Sequence, residues 1–141
     1  MVKRVTPQEA VELMASGWTY LDVRSIPEFE QGHPAGASNI PLMHAQAGRM
    51  APNGEFQKVV QANFPPQTKL VVGCKSGGRS AQAVGLLSAL GYQELADVRG
   101  GFFGERDAMG RTVVPGWTEA GLPVATQADP GKGYTDLQKK T

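Results

Sequence analysis

A chain of 141 residues is long enough to bury roughly two-thirds of its unfolded surface in one hydrophobic core, and it needs no second domain or covalent staple to do so. With 14 Lys and Arg against 13 Asp and Glu, the formal net charge of +1 gives no electrostatic reason for a nucleic-acid or acidic-membrane partner and points to a small substrate. The single cysteine excludes an intrachain disulfide and a paired-cysteine metal or redox site, and no stretch has the apolar core of a signal peptide or membrane span, so a soluble cytoplasmic protein is expected.

Thr6-Pro7-Gln8-Glu9 combines a cap residue, a proline at the first helical position and an acid three residues after the cap. That predicts a helix to about Ser16, ended by Gly17. Trp18 to Val23 is aromatic and β-branched and reads as a strand running into the polar residues Asp22 and Arg24. Ser25, Pro27 and Glu28 open a short second helix through Gln31, stopped at Gly32. Ala37-Ser38-Asn39-Ile40 predicts a brief strand, and residues 42–64 read as mostly helical with a break at Pro52-Asn53-Gly54.

Lys69 to Gly73 has the look of a strand buried on both faces, and Ser80 to Leu90 that of a helix with Ala83, Val84, Leu87 and Leu90 on one face. Leu95 to Val98 predicts another strand; residues 102–116 are glycine-rich and mixed in charge; Trp117 to Leu122 suits a last helical turn. Residues 1–125 are expected to form the domain and 126–141, polar and holding Pro130, Gly131 and Gly133, a flexible tail. Strands alternating with helices indicate an α/β fold with a mainly parallel sheet, whose ligands bind outside the carboxyl ends of the strands.

Cys74 falls at such an end, in Gly73-Cys74-Lys75-Ser76-Gly77-Gly78-Arg79-Ser80. Backbone N–H groups of a glycine-rich turn, a helix N-terminus and neighbouring cations all favour the thiolate, which is the nucleophilic form. Cys74 is therefore the candidate nucleophile, with Lys75, Ser76, Gly77, Gly78, Arg79 and Ser80 as the substrate cradle. A lone cysteine is ordinarily a small buried hydrophobe; the loop reverses that reading here. Arg79 is read as a substrate contact over a surface cation, and Lys75 as pointing either to solvent or to an incoming anion. Asp22 and Arg24 are read as structural support, a brace at a strand end, in preference to an acid–base pair. His33 and His44 serve neither as base nor ligand; no metal site has enough ligands, and no cofactor is expected.

Leu21-Asp22-Val23-Arg24, Glu28-Phe29, Gly32-His33-Pro34-Ala35-Gly36-Ala37-Ser38-Asn39-Ile40-Pro41, the Cys74 to Ser80 loop, Gly91-Tyr92, Gly100-Gly101 and Gly116-Trp117 with Ala120-Gly121-Leu122-Pro123 occur in that order. Together, over roughly residues 5–125, they resemble the single-domain rhodanese sulfurtransferases. The resemblance implies a five-stranded, mainly parallel sheet flanked by helices on both faces and a cysteine that carries a persulfide between donor and acceptor. On that basis Cys74 takes sulfane sulfur from a donor such as thiosulfate and hands it to cyanide or a thiol, small or on a protein.

The resemblance also implies that six residues from cysteine to arginine, as in Cys74 to Arg79, accompany sulfur substrates, whereas the seven-residue loop of phosphatases and arsenate reductases encloses a tetrahedral oxyanion. Phosphatase chemistry further wants a general acid, for which Asp107 is the candidate. A rhodanese-like binding or regulatory module is the other alternative; such modules often lack the cysteine. Two features depart from the pattern. Glu28 stands where thiosulfate-specific two-domain enzymes place an arginine, which disfavours thiosulfate as natural donor, and residues 102–115 lengthen the path from Gly100-Gly101 to Gly116-Trp117. Phe102, Phe103 and Arg106 in that segment are expected to face the acceptor or a partner.

Overall fold

Alternation of short apolar strands with capped helices builds the chain, and a computed structural model describes residues 2–75 and 77–141. In order the elements are β1 (Val2–Val5), α1 (Pro7–Ala15), β2 (Thr19–Asp22), α2 (Ile26–Gln31), β3 (His33–Pro34), β4 (Ser38–Asn39), β5 (Met43–Gln46), β6 (Arg49–Pro52), α3 (Phe56–Asn63), β7 (Leu70–Gly73), α4 (Gly78–Ala89), β8 (Leu95–Val98), β9 (Glu105–Arg106), β10 (Thr112–Val114), β11 (Val124–Ala125) and α5 (Tyr134–Gln138). Five strands form the central sheet in the order β1-β8-β7-β2-β4, every neighbouring pair parallel. The sheet is thus the expected one, parallel throughout.

Strand periodicity divides the core between the two faces. Leu21, Val72 and Leu95 point to one side, where Val59 and Val60 of α3 and Ala83 and Leu87 of α4 cover them. Tyr20, Val71 and Ala96 point to the other, against Ala10 of α1, Phe29 of α2 and Trp117. With β7 central and all four of its residues buried, its carboxyl end delivers Cys74 to the middle of the sheet edge. Gly73 precedes it because the Tyr20 hydroxyl occupies the space a Cβ would need.

The starts of α1 and α2 follow the sequence closely. Thr6 Oγ1 accepts from the Glu9 amide at 3.1 Å while Glu9 Oε1 accepts from the Thr6 amide at 2.9 Å, a reciprocal cap. Two expectations are corrected. Residues 43–52 form not a helix but the antiparallel β5–β6 hairpin, closed by Ala47 and Gly48, both with positive φ (48° and 76°); the helix begins only at Phe56. The stretch expected to be a flexible tail carries α5, whose Tyr134 and Leu137 are buried in the α3/α4 core and whose Tyr134 hydroxyl accepts from Asn53 Nδ2 at 3.2 Å. The glycine-rich 102–116 segment holds the β9–β10 hairpin, where Arg106 donates to Thr112 Oγ1 at 2.7 Å and pairs with Glu119.

Candidate functional site

The turn after β7 places Cys74 over the amino end of α4, with the residue 2 % exposed. Gly77, at φ 124°, takes a conformation that side chains resist, and its N–H reaches Sγ at 3.1 Å. An amide donor at that distance stabilises negative charge on sulfur without a proton transfer. Ser80, fully buried in the first turn of α4, lies with Oγ 3.5 Å from Sγ and donates toward Asp97 Oδ1 at 2.6 Å. Gly101 (φ 56°) packs directly on the Cys74 and Lys75 carbonyls, too close for any Cβ, and the Phe102 and Phe103 amides donate to those two carbonyls at 2.8 and 2.9 Å. The loop is pinned from behind by the segment that follows the glycine pair.

Of the residues singled out in the sequence, Cys74, Gly77 and Ser80 converge. Gly78 starts α4, and Ser76 lies outside the described residues. Lys75 is exposed, its Nζ 5.7 Å from the Phe103 ring centroid, and lines a cleft of about 480 Å³ with Glu28, Gln31, Phe103, Gly104 and Arg106. Arg79 makes a two-point ion pair with Glu28, at 2.6 and 2.9 Å. Burial pushes the Glu28 carboxyl up, but hydrogen bonds from Arg79 and from the Ser25 amide and hydroxyl outweigh it and hold the group at about 2. The hydrogen bond to Glu28 in turn raises Arg79 above its ordinary value. The loop arginine therefore reaches the site with its charge already matched.

Asp22 and Arg24 form a fully buried pair, Nη2 to Oδ2 2.8 Å, and Arg24 also donates to the Gly32 carbonyl at 2.7 Å and lies 4.3 Å over the Phe102 ring. This brace ties the end of β2 to α2 and to the segment that backs the Cys74 loop. Phe102, expected at the surface, is buried behind Arg24 because an aromatic face there shields the guanidinium; Phe103 stays exposed. His33 stacks on Phe29 and bonds the Phe29 carbonyl through Nδ1 at 2.7 Å, a packed scaffold residue. Asp107 accepts from the Arg111 and Met109 amides, and the Arg111 amide above all holds its carboxyl below the usual range, the wrong direction for a general acid. Among the described residues no group of three or more His, Cys, Asp or Glu is gathered to hold a metal, and no helix is long and apolar enough to cross a membrane.

Sequence reasoning missed Asp97. Its neighbours Ala96 and Val98 read as plain strand, and only the parallel pairing of β8 with β7, which brings Asp97 opposite Val72, puts its carboxylate beside Ser80. Burial raises the Asp97 carboxyl above its ordinary value, against the opposing effects of Ser80 and of Arg4, 3.9 Å away.

Residues 6–106 match the family description "Rhodanese-like domain". The chain is 37 % identical over 114 residues to "Thiosulfate sulfurtransferase 16, chloroplastic" of Arabidopsis thaliana, covering 81 % of this chain and 85 % of that protein. It is 34 % identical over 131 residues to "Thiosulfate sulfurtransferase 18" of the same plant, covering 91 % and 87 %. The crystal structure of Rv0390 from M. tuberculosis shares the fold, with a TM-score of 0.74 at 24 % identity over 89 % of this chain and 98 % of that one. A parallel sheet with a cysteine at the carboxyl end of its central strand, a glycine turn bonded to the sulfur and these similarities along nearly the whole chain have one common account: the chain belongs to the rhodanese family.

Proposed function

We propose that the protein is a sulfurtransferase working through a persulfide on Cys74. The observation that carries this reading is the Gly77 N–H at 3.1 Å from Sγ, in a six-residue Cys74 to Arg79 turn at the end of the central strand. The Cys74 thiolate attacks the outer sulfur of a sulfane donor such as thiosulfate; the new S–S bond forms as the donor's own S–S bond breaks, and sulfite leaves with the electron pair. The outer sulfur, now anionic, lies over the same amides and helix terminus. A thiolate acceptor, small or on a protein, or cyanide then attacks that sulfur and releases Cys74 as thiolate. With no second cysteine in the chain the sulfur must pass to another molecule, and a reducing compartment such as the cytoplasm keeps the thiol available.

Incubation with thiosulfate or another sulfane donor is expected to add one sulfur atom to the intact mass, removable by cyanide or a reducing thiol and absent in Cys74→Ser. An unchanged mass with every sulfane donor overturns the reading. Binding of a partner protein unaffected by Cys74→Ser would instead favour a docking module.

A further inference from the structure

Behind the nucleophile Cys74 Sγ runs a chain of two polar groups that the sulfur exchange itself does not use: Ser80 Oγ, 3.5 Å from the sulfur, and Asp97 Oδ1 at 2.6 Å from that hydroxyl. All three residues are almost fully buried, at 2 %, 0 % and 4 % exposure. A buried carboxylate is expensive unless it is paired, and the cation near Asp97 is the Arg4 guanidinium, 3.9 Å off on a side chain that is itself mostly in solvent. Ser80 has a single proton to give. It faces Asp97 at short distance, with the Gly77 carbonyl at 3.2 Å as a weaker competitor. While Asp97 is ionised the Ser80 hydroxyl points to it, and its oxygen is left to accept from the thiol.

We propose that Ser80 and Asp97 are a proton relay that receives the Cys74 proton. The S–H bond breaks as the proton moves to Ser80 Oγ, and the proton already on Ser80 moves to Asp97 Oδ1. The result is a thiolate held by the Ser80 O–H and the Gly77 N–H, and a neutral carboxylic acid at Asp97. The interior holds one negative charge before and after, so activation of the sulfur needs no charge carried in or out of the core. The burial that raises the Asp97 carboxyl suits it to accept the proton. Among the described residues, the charged and titratable groups that bear on this pair include Arg4 from β1, Tyr20 from β2 and Arg79 from α4, the last matched by Glu28. Ser80 touches the reacting sulfur and Asp97 acts through it as a positioning residue; neither needs to touch the donor. The relay refines the persulfide reading and rests on Cys74 being its nucleophile, but its test involves no sulfur donor.

Alkylation of Cys74 by iodoacetamide, followed by intact mass across pH 4 to 10, reads the thiolate directly. The coupled pair is expected to give the wild-type profile two limbs, the lower set by Asp97. Asp97→Asn and Ser80→Ala should each leave one limb, and Ser80→Ala, which removes a donor to the thiolate, should slow alkylation at neutral pH about tenfold. Arg4→Gln changes an exposed side chain that does not threaten the fold; by removing the cation beside Asp97 it should move the lower limb to higher pH. A single wild-type limb, or a lower limb that neither Arg4→Gln nor Asp97→Asn shifts, overturns the relay. Sulfur loading by donors, measured on the same samples, reports the persulfide separately.

Discussion

Glu28 pairs with the arginine that ends the Cys74 loop, and its charge bears on what Arg79 can offer to a donor. Bound at two points, the guanidinium presents little net positive field to a dianion such as thiosulfate. Glu28→Gln keeps an oxygen for the Ser25 amide at the start of α2 while cancelling the charge. Steady-state kinetics should then show a KM for thiosulfate lower by several-fold to about tenfold, the effect of on the order of 1 kcal/mol, with a smaller change for an uncharged sulfane donor. A KM that is unchanged or higher would mean that Arg79 holds the loop but does not meet the donor. The same residue sets an acid limit. Its carboxyl, held at about 2 against an ordinary 4.5, contributes stability that is complete above about pH 4.5 and lost as the pH falls toward 2. Denaturant titrations of Glu28→Gln between those values should show a flatter pH dependence than the wild type.

Two elements show where local sequence signals end. The β5–β6 hairpin escaped the sequence because Met43, Ala45, Gln46, Arg49 and Met50 suit a helix, and Ala47-Gly48 is a poor advertisement for a two-residue turn. Ala47 nevertheless holds φ at 48°, which costs an alanine about 1 kcal/mol. Ala47→Asn, the residue type that tolerates this conformation best after glycine, is expected to raise the urea midpoint, by about 0.5–1 kcal/mol in stability, without touching sulfur loading. The α5 helix was hidden by the polar residues around it, since only Tyr134 and Leu137, three positions apart, carry its apolar contact. Leu137→Ala should cost about 2 kcal/mol or more, measured in the same titrations, a loss that a flexible tail could not produce. By contrast the caps of α1 and α2 and the Cys74 turn were legible, because each depends on residues within a few positions of one another. Asp97 was not, because its meaning is made by a strand pairing across 17 or more residues of chain.

At the scale of the whole molecule, the sheet brings three separate stretches of sequence around one sulfur: the β7–α4 turn, the start of α2, and the lengthened segment after β8. The first two carry Cys74 with the Gly77 amide and the Arg79–Glu28 pair. The third backs the loop through Phe102, then turns outward so that Phe103 and Arg106, both about half exposed, border the cleft beside Lys75. An organic thiol approaching Cys74 through this cleft would meet an aromatic face and two cations, whereas cyanide is small enough to need neither. The combined variant Phe103→Ala and Arg106→Ala alters only exposed side chains, so the fold and the sulfur-loaded mass should be unchanged. Its KM for a carboxylate-bearing thiol acceptor should rise several-fold while turnover with cyanide stays near the wild-type value. An equal loss with both acceptors would show that the segment acts by bracing the Cys74 turn, and no loss with either would place the acceptor's approach on the opposite side, away from Lys75 and Gln31.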